Sequence, residues 1–240
     1  MSASTEEYLE ALYYLSRERE PVSTSALSRR LNIAPASVTE MMQKLAKMGY
    51  VNYSPYQGVT LTPKGYRSAE KMTRKHRLLE RFLYDVLKIK KDSVHKEACE
   101  MEHALSDGTA RAMCQYLNSP YICPDDGKLI PPCDLAFSSC EECRQWGQDS
   151  PQKIPKRKAR IVSLADLKEN QEGLISFIRG DSGLLRKLVD LGLKPGTKVK
   201  VHRVASPNVP TEITLKDSIL SLSDKITWNV FVKKAVSQTG

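Results

Sequence analysis

The stretch VHKEACEMEHALSD, residues 94–107, decides how the rest of the chain is read. It carries His95, Cys99, Glu102 and His103, at successive offsets of four, three and one. On an α-helix, residues three and four apart share a face, so these side chains lie along one stripe. Imidazole, carboxylate and thiolate together suit a borderline divalent transition metal, not calcium or magnesium. Ala98, Met101, Ala104 and Leu105 keep the segment helical and give it apolar surface. An amphipathic helix with a merely polar face is the ordinary alternative, and the flanking sequence decides between the two.

The chain has 240 residues and a formal net charge of +9. That length accommodates one large domain or two to three small ones. A basic balance points toward nucleic acid or an acidic surface. There is no run of about 18 apolar residues, so no membrane span is expected. The N-terminal MSASTEEYLEALYYL is acidic and lacks the basic flank and apolar core of a signal peptide. A cytoplasmic protein is therefore expected. In that compartment six cysteines read as metal ligands or free thiols more readily than as disulfides.

Residues 5–18 read as a first helix, with Tyr8, Leu9, Leu12 and Leu15 on one face and Ser4 or Thr5 as its cap. Glu7 and Glu10 are neighbours on that helix. They are either favourable first-turn carboxylates or metal ligands brought from another part of the chain. Pro21 ends the helix. STSALSRRL (23–31), the break NIAP and PASVTEMMQKLAKMG (35–49) then form a helix-turn-helix. Short β-type runs at 50–53 and 59–62 around SPYQG make a hairpin wing. In such a motif the second helix enters the major groove. Its early side chains are Ala36, Ser37, Thr39 and Glu40, followed by Gln43, Lys44 and Lys47. Arg29 and the two lysines suit phosphates, which position a protein without reading sequence.

A long helix is expected over 63–87, opened by Pro63, with His76 and Glu80 four apart as a second small ligand pair. The helix of the 94–107 stretch follows from about 92, and SDGTARAMCQYL forms another. Residues 119–160 change character, being rich in proline and polar residues. They hold Cys123, Cys133, Cys140 and Cys143. The CxxC spacing at Cys140 and Cys143 lets two thiolates converge on one metal, and the two upstream cysteines complete a four-cysteine structural zinc site. An iron–sulfur cluster on the same thiolates, or a redox dithiol at Cys140 and Cys143, is the alternative. The basic stretch KIPKRKAR (153–160) leads out. From 161 to 236, short β-branched or alternating runs, interrupted by SGLLRKLVDLG, suggest a small SH3-like barrel. It carries no catalytic constellation. The barrel's own partner is left open between the proline-bearing residues 151–155, the dimer, or neither.

The winged helix, the KHRLLER segment and HKEACEMEH followed by SD together resemble the metal-dependent repressors typified by the diphtheria toxin repressor and its iron- and manganese-sensing relatives. The resemblance covers about residues 5–118. The C-terminal LLRKLVDLGLKPGTKVKV and ILSLS are similar to the SH3-like domain of ferrous-iron-transport accessory proteins, which is also fused to these repressors. The implied fold is α+β. It comprises a winged helix-turn-helix over 1–74, a helical metal-binding and dimerisation domain over 75–118, a cysteine-rich linker over 119–160 and an SH3-like domain over 161–240.

The resemblance also implies the ligands. Glu7, Cys99, Glu102 and His103 would form a primary site, and His76, Glu80 and His95 an ancillary one. Glu7 stands where the iron type has methionine and matches the acidic residue of the manganese type, as does Glu10. Cys99 matches the iron type. Some relatives add a ligand from the SH3-like domain, where this chain offers Asp181 and then Leu184. Fe(II) is the expected ion, because a thiolate disfavours Mn(II) in relative terms; Mn(II) is the alternative. The implied function is a homodimeric repressor of metal-homeostasis genes that binds a palindromic DNA operator. A metalloenzyme with an open metal position is a different reading, against which no HExxH motif and no nucleophile beside a base is found. An iron-transport accessory protein acting through its barrel is a third.

Overall fold

The computed structural model describes residues 3–146, 155–157, 159–205, 210–216 and 218–234. The chain divides into two compact units, Met1–Leu105 and Ser106–Gly240. In the first unit, helix α1 (Ala3–Glu18) buries Tyr8, Leu9 and Leu12 at the expected helical spacing, together with Ala11 and Tyr13. Leu15 is half-buried against the same core. The helix starts earlier than expected, so Thr5 lies inside its first turn, and the Ser4 side chain falls outside the described residues.

Helix α2 (Thr24–Leu31) begins at Ser23, whose Oγ accepts the Ala26 N–H at 3.2 Å. It ends at Asn32, which takes the left-handed conformation with φ 54°. Asparagine tolerates that conformation better than most residues, and the chain turns there into helix α3 (Pro35–Lys47). Pro35 sits in the first turn, where its missing N–H has no helical partner to lose. Val38, Met42 and Leu45 recur at helical spacing and are fully buried. Gly49, with φ 73°, follows the helix and redirects the chain into the wing. Strands β1 (Val51–Ser54) and β2 (Gly58–Leu61) pair antiparallel, from Val51 opposite Leu61 to Ser54 opposite Gly58.

Helix α4 (Pro63–Asp85) starts at Thr62, whose Oγ1 accepts the Gly65 N–H at 3.1 Å and donates to the Gly49 carbonyl at 2.8 Å. It is one unbroken helix. The expected domain boundary at 74/75 therefore falls inside it, and its N-terminal and C-terminal halves serve the winged helix and helix α5 (Lys91–Glu102) respectively. Helix α5 buries Val94 and Ala98.

In the second unit, helix α6 (Asp107–Tyr116) is capped by Ser106, whose Oγ accepts the Thr109 N–H at 3.1 Å. The 119–160 segment, expected as a cysteine-rich linker, contains packed residues and a short helix. Ile130 and Phe137 are buried, and Cys140–Gln145 form a short helix, α7. Its apolar residues are too widely spaced to give a periodic signal, so packing alone reveals them. Isolated bridges join Ile122 to Leu129 and Ser139 to Ile178. Most of the proline-bearing 151–155, and part of the basic stretch, lie outside the described residues.

The sheet that follows has β3 (Val162–Ser163), β4 (Glu172–Ile178), β5 (Lys198–Arg203), β6 (Thr211–Leu215), β7 (Ser218–Leu222) and β8 (Val230–Lys234). Its order is β3-β8-β4-β5-β6-β7, and every neighbouring pair is antiparallel. The burial of β6 alternates along the strand, as a one-sided sheet requires. Ile175, Val199, Val201, Ile213 and Val232 face the core. Helices α8 (Ser182–Asp190) and α9 (Asp224–Thr227) complete this SH3-like domain. No helix among the described residues is long and apolar enough to cross a membrane.

Gly65 marks the closest approach within the first unit. A Cβ placed there would stand 1.9 Å from the Tyr50 carbonyl oxygen, a backbone atom that cannot swing aside. Gly65→Ala is expected to lower stability by about 1–3 kcal/mol, the range for overpacking a tight site. Urea unfolding followed by circular dichroism checks this, and an unchanged midpoint would show that α4 has slack against the wing.

Candidate metal centre

Three helices of the first unit bring ligand-bearing side chains together. Helix α4 supplies His76 and Glu80, which are buried, and α5 supplies His95, Cys99 and Glu102, with His103 at its C-cap. His76 is the hub. Its Nδ1–H donates to Glu102 Oε2 at 2.8 Å and its Nε2–H to Glu80 Oε1 at 2.8 Å. His95 Nδ1 stands 3.0 Å from the same Glu80 oxygen and 3.1 Å from His76 Nε2. The Cys99 sulfur lies 3.9 Å from His76 Nδ1 and 3.8 Å from His95 Nε2. Ligand atoms of His76, His95 and Cys99 all fall within 4.8 Å of one another. Such a set fits one thiophilic or borderline divalent ion, the kind of metal their chemistry implies.

Helix α1 closes the other side. Glu6 Oε2 accepts the His103 Nδ1–H at 2.6 Å, and His103 Nε2 lies 3.6 Å from Glu102 Oε1. Glu10 is held near the Glu102 carboxylate. Its pKa is pushed up to about 7 by burial and then by Glu102, against the lowering influence of His76, Arg77 and Arg30. The structure does not bring Glu7 into this group: its side chain is exposed. Glu6 and Glu10 are four apart and share the inward stripe of α1, from which Glu7 is rotated by one residue. The two ligand sets implied by resemblance are thus contiguous, joined where His76 touches both Glu102 and Cys99. Glu6 was missed at the sequence level. Its i,i+4 spacing to Glu10 was the available signal.

Electrostatics explains how the cluster holds together. Burial alone would lower the His76 pKa. Its contacts to Cys99, Glu102 and Glu80 outweigh that effect and hold the imidazole well above its ordinary range. An imidazolium between two buried carboxylates stands in for the positive charge that a metal would supply. The same contacts fix α4 to α5, and α1 is tied to α4 beside them. Arg77 Nη2 donates to the Tyr14 hydroxyl at 3.1 Å. Arg77 and Arg30 of α2 stack on the Tyr14 ring, their Cζ atoms 5.3 Å and 4.7 Å from its centre.

The other expected residues are placed as follows. On α3, Ala36, Ser37, Glu40, Gln43, Lys44 and Lys47 are exposed, as is Arg29 on α2. Thr39 is half-buried and its hydroxyl donates to the Pro35 carbonyl at 3.0 Å. Asp181 caps α8, accepting the Leu184 N–H at 2.8 Å. That bond, the largest influence on it, holds its carboxyl below the usual range. Of the four cysteines expected to share a zinc ion, Cys140 and Cys143 lie on α7 and Cys133 packs against the same small core as Cys140. Cys123 is buried in its own turn, where its sulfur accepts the Asp125 N–H at 3.3 Å. Among the described residues, no three cysteine sulfurs lie within 4.8 Å of one another.

Three family models match successive parts of the chain. Residues 1–59 match the model for the iron dependent repressor N-terminal DNA binding domain. Residues 62–132 match its metal binding and dimerisation domain, and 162–234 the FeoA domain. An HTH-type transcriptional regulator of Methanocaldococcus jannaschii is 45% identical over 108 residues, 45% of this chain and 86% of that protein. The iron-dependent repressor IdeR of Mycobacterium tuberculosis is 28% identical over 96% of this chain and 97% of its own. The HTH-type transcriptional regulator MntR of Geobacillus kaustophilus is 36% identical over 43% of this chain and 72% of its own. The solved structure of the metal-dependent transcriptional regulator MtsR shares the fold, with a TM-score of 0.50, 23% identity and coverage of 98% of this chain and 100% of that one.

The proton held at His76 gives the cluster a pH signature. Folded-state pKa values raised above their unfolded values, as for His76 and Glu10, contribute stability that is present at low pH. That stability is lost as pH rises through the raised values. A metal must displace these protons, so its stabilising effect is expected to grow between about pH 6 and about pH 8, with protons released on binding. Thermal unfolding with and without metal at both pH values checks this. A metal-induced shift that is equal at both, or smaller at the higher pH, would remove His76 and Glu10 from the binding event.

Proposed function

The chain belongs to the iron-dependent repressor family of metal-responsive, DNA-binding transcription regulators, and from that membership we propose that it is a cytoplasmic, homodimeric repressor activated by Fe(II). The family consists of regulators, not enzymes, which sets aside the metalloenzyme reading. The observation that carries the proposal is the convergence of α1, α4 and α5 on one buried histidine–carboxylate hub. The proposed ligands are His76, Glu80, His95, Cys99, Glu102 and His103, with Glu10 and a second carboxylate from α1. The Cys99 sulfur favours Fe(II) over Mn(II) in relative terms; the carboxylates keep Mn(II) as the second reading.

Bound at this centre, a divalent ion supplies a positive charge that draws donors from separate helices together. The protein's own residues do the rest. Glu6 ties α1 to His103 at the end of α5, and Arg77, Tyr14 and Arg30 extend that hold from α4 through α1 to α2. Helix α2 leads directly into α3, whose exposed Ser37, Gln43 and Lys44 suit base edges and phosphates. An ion that binds the ordered arrangement better than the loosened one shifts the population toward it. In a two-fold dimer this fixes the spacing of two α3 helices, hence a palindromic operator.

Fluorescence anisotropy on the chain's own upstream DNA, at fixed salt and without oxygen, tests the reading. Glu102→Gln and His103→Ala are each expected to lower metal-dependent affinity at least tenfold (about 1.4 kcal/mol) while leaving the circular dichroism spectrum unchanged. Unaltered metal response in both variants would overturn it. The same assay separates the two carboxylates of α1. Glu6→Gln is expected to weaken the metal response more than Glu7→Gln, because Glu6 already meets His103. The reverse order would mean that α1 turns by one residue when the ion enters.

A further inference from the structure

We propose a second metal site, in the Ser106–Gly240 unit, where Cys114, Cys133, Cys140 and Cys143 bind one structural Zn(II). It shares no residue with the first centre and stands independently of the sensor reading.

The sequence groups Cys133, Cys140 and Cys143 with Cys123. The fold offers Cys114 of α6 instead. Helix α6 is docked onto α7 at Cys143: Arg111 Nη2 donates to the Cys143 carbonyl at 2.9 Å and Gln115 Nε2 to the same oxygen at 3.1 Å. The Gln115 amide also reaches the Cys143 sulfur, at 3.8 Å. Cys114 lies between these two residues in the sequence. Cys140 and Cys143 are three apart on α7, hence on one face. Cys133 packs against the small core of Cys140, Ile161, Phe177 and Phe231. Cys133 and Cys114 both act electrostatically on Cys143, and Cys114 on Cys140. The Cys123 sulfur accepts the Asp125 N–H at 3.3 Å within its own turn.

Burial pushes the Cys140 and Cys143 thiols up, while Arg179 and Arg111 act in the other direction. Arg157 and Arg179 stack on Phe177 and Phe231, the two rings packed with Cys140, at 4.9 Å each. With Arg111 they place three guanidinium groups around the cysteines. Nε and Nη2 of Arg157 are buried without a hydrogen-bond partner, and Cys133 is the thiol that acts on it most strongly. Buried donors left unpaired are costly, and a thiolate at Cys133 would supply the missing acceptor. Four thiolates on a divalent ion carry two net negative charges, which the arginines offset. Tetrahedral thiolate coordination is what zinc takes in structural sites. The sulfurs are more widely spaced here than in a closed tetrahedron. Rotation of a cysteine about χ1 carries its sulfur without moving the backbone, and each thiol gives up its proton to solvent as it binds the ion.

The test uses the full-length wild-type chain, reconstituted with Zn(II) under reducing conditions and stripped of weakly held metal. Metal analysis is expected to find about one zinc per chain, in line with a closed four-ligand site. Pulsed alkylation with mass spectrometry should then show Cys114, Cys133, Cys140 and Cys143 protected together, and released together when a mercurial expels the zinc. Co(II) in place of zinc should give thiolate-to-metal charge-transfer absorption. Cys114→Ser should lose this zinc and Cys123→Ser keep it, also in a His103→Ala background that disables the first centre. Absence of retained zinc in the wild-type chain would overturn the site. Protection of Cys123 in place of Cys114 would overturn this choice of ligands. The alkylation pattern is read on unaltered protein, so a variant that fails to fold does not obscure the answer.

Discussion

The first unit turns on one imidazole placed between two carboxylates. His76, Glu80 and Glu102 are each no more than 4% exposed, and removing His76 leaves two buried carboxylates without a counter-charge. Breaking a buried pair from one side costs far more than the pair itself contributes. The hub therefore does little to raise net stability while strongly specifying arrangement. Helix α4 cannot rotate about its axis, nor α5 slide along it, without stranding a carboxylate. Packing of α1 on α4 then inherits this register, and the winged helix inherits it from α1.

Tyr14 shows how that inheritance crosses the core. A ring flanked by two guanidinium groups, one of which also holds its hydroxyl, is a polar tie set among apolar contacts. Leucines can repack when neighbours shift by a fraction of an ångström. A hydroxyl–guanidinium bond is directional and cannot. Helix α2 is thereby coupled to the hub by geometry rather than by proximity alone.

What was legible in the sequence followed strong local rules. Pro35 at the start of α3, Gly49 after it and the three- and four-residue spacing of His95, Cys99 and Glu102 each leave a mark within a few residues. The winged helix, the ligand helix and the alternating strands were readable for that reason. Features that depend on separate segments meeting were not. Whether Glu6 or Glu7 faces inward depends on how α1 rolls on α4, since both sit in the first turns of an amphipathic helix. Cys114 left no signal in the sequence, because only the docking of α6 on α7 brings its helix to Cys143. Helix α7 itself is six residues long, too short for any periodic signal. The boundary expected at 74/75 lies within α4, a single continuous helix that leaves no local break in the sequence pattern.

The hub is also lopsided. His76, Glu80 and Glu102 are sealed from water, whereas Cys99 is exposed and the His95 side chain is 62% exposed. The sealed half decides how strongly a charge is held, and the open half decides how quickly it comes and goes. An ion held here would have Cys99 and His95 on its exposed side and Glu80 and Glu102 on its sealed side. No segment need unfold to admit it. A centre open on one side would exchange its ion with the surroundings and act as a gauge of the free ion, where a fully enclosed centre would act as a store.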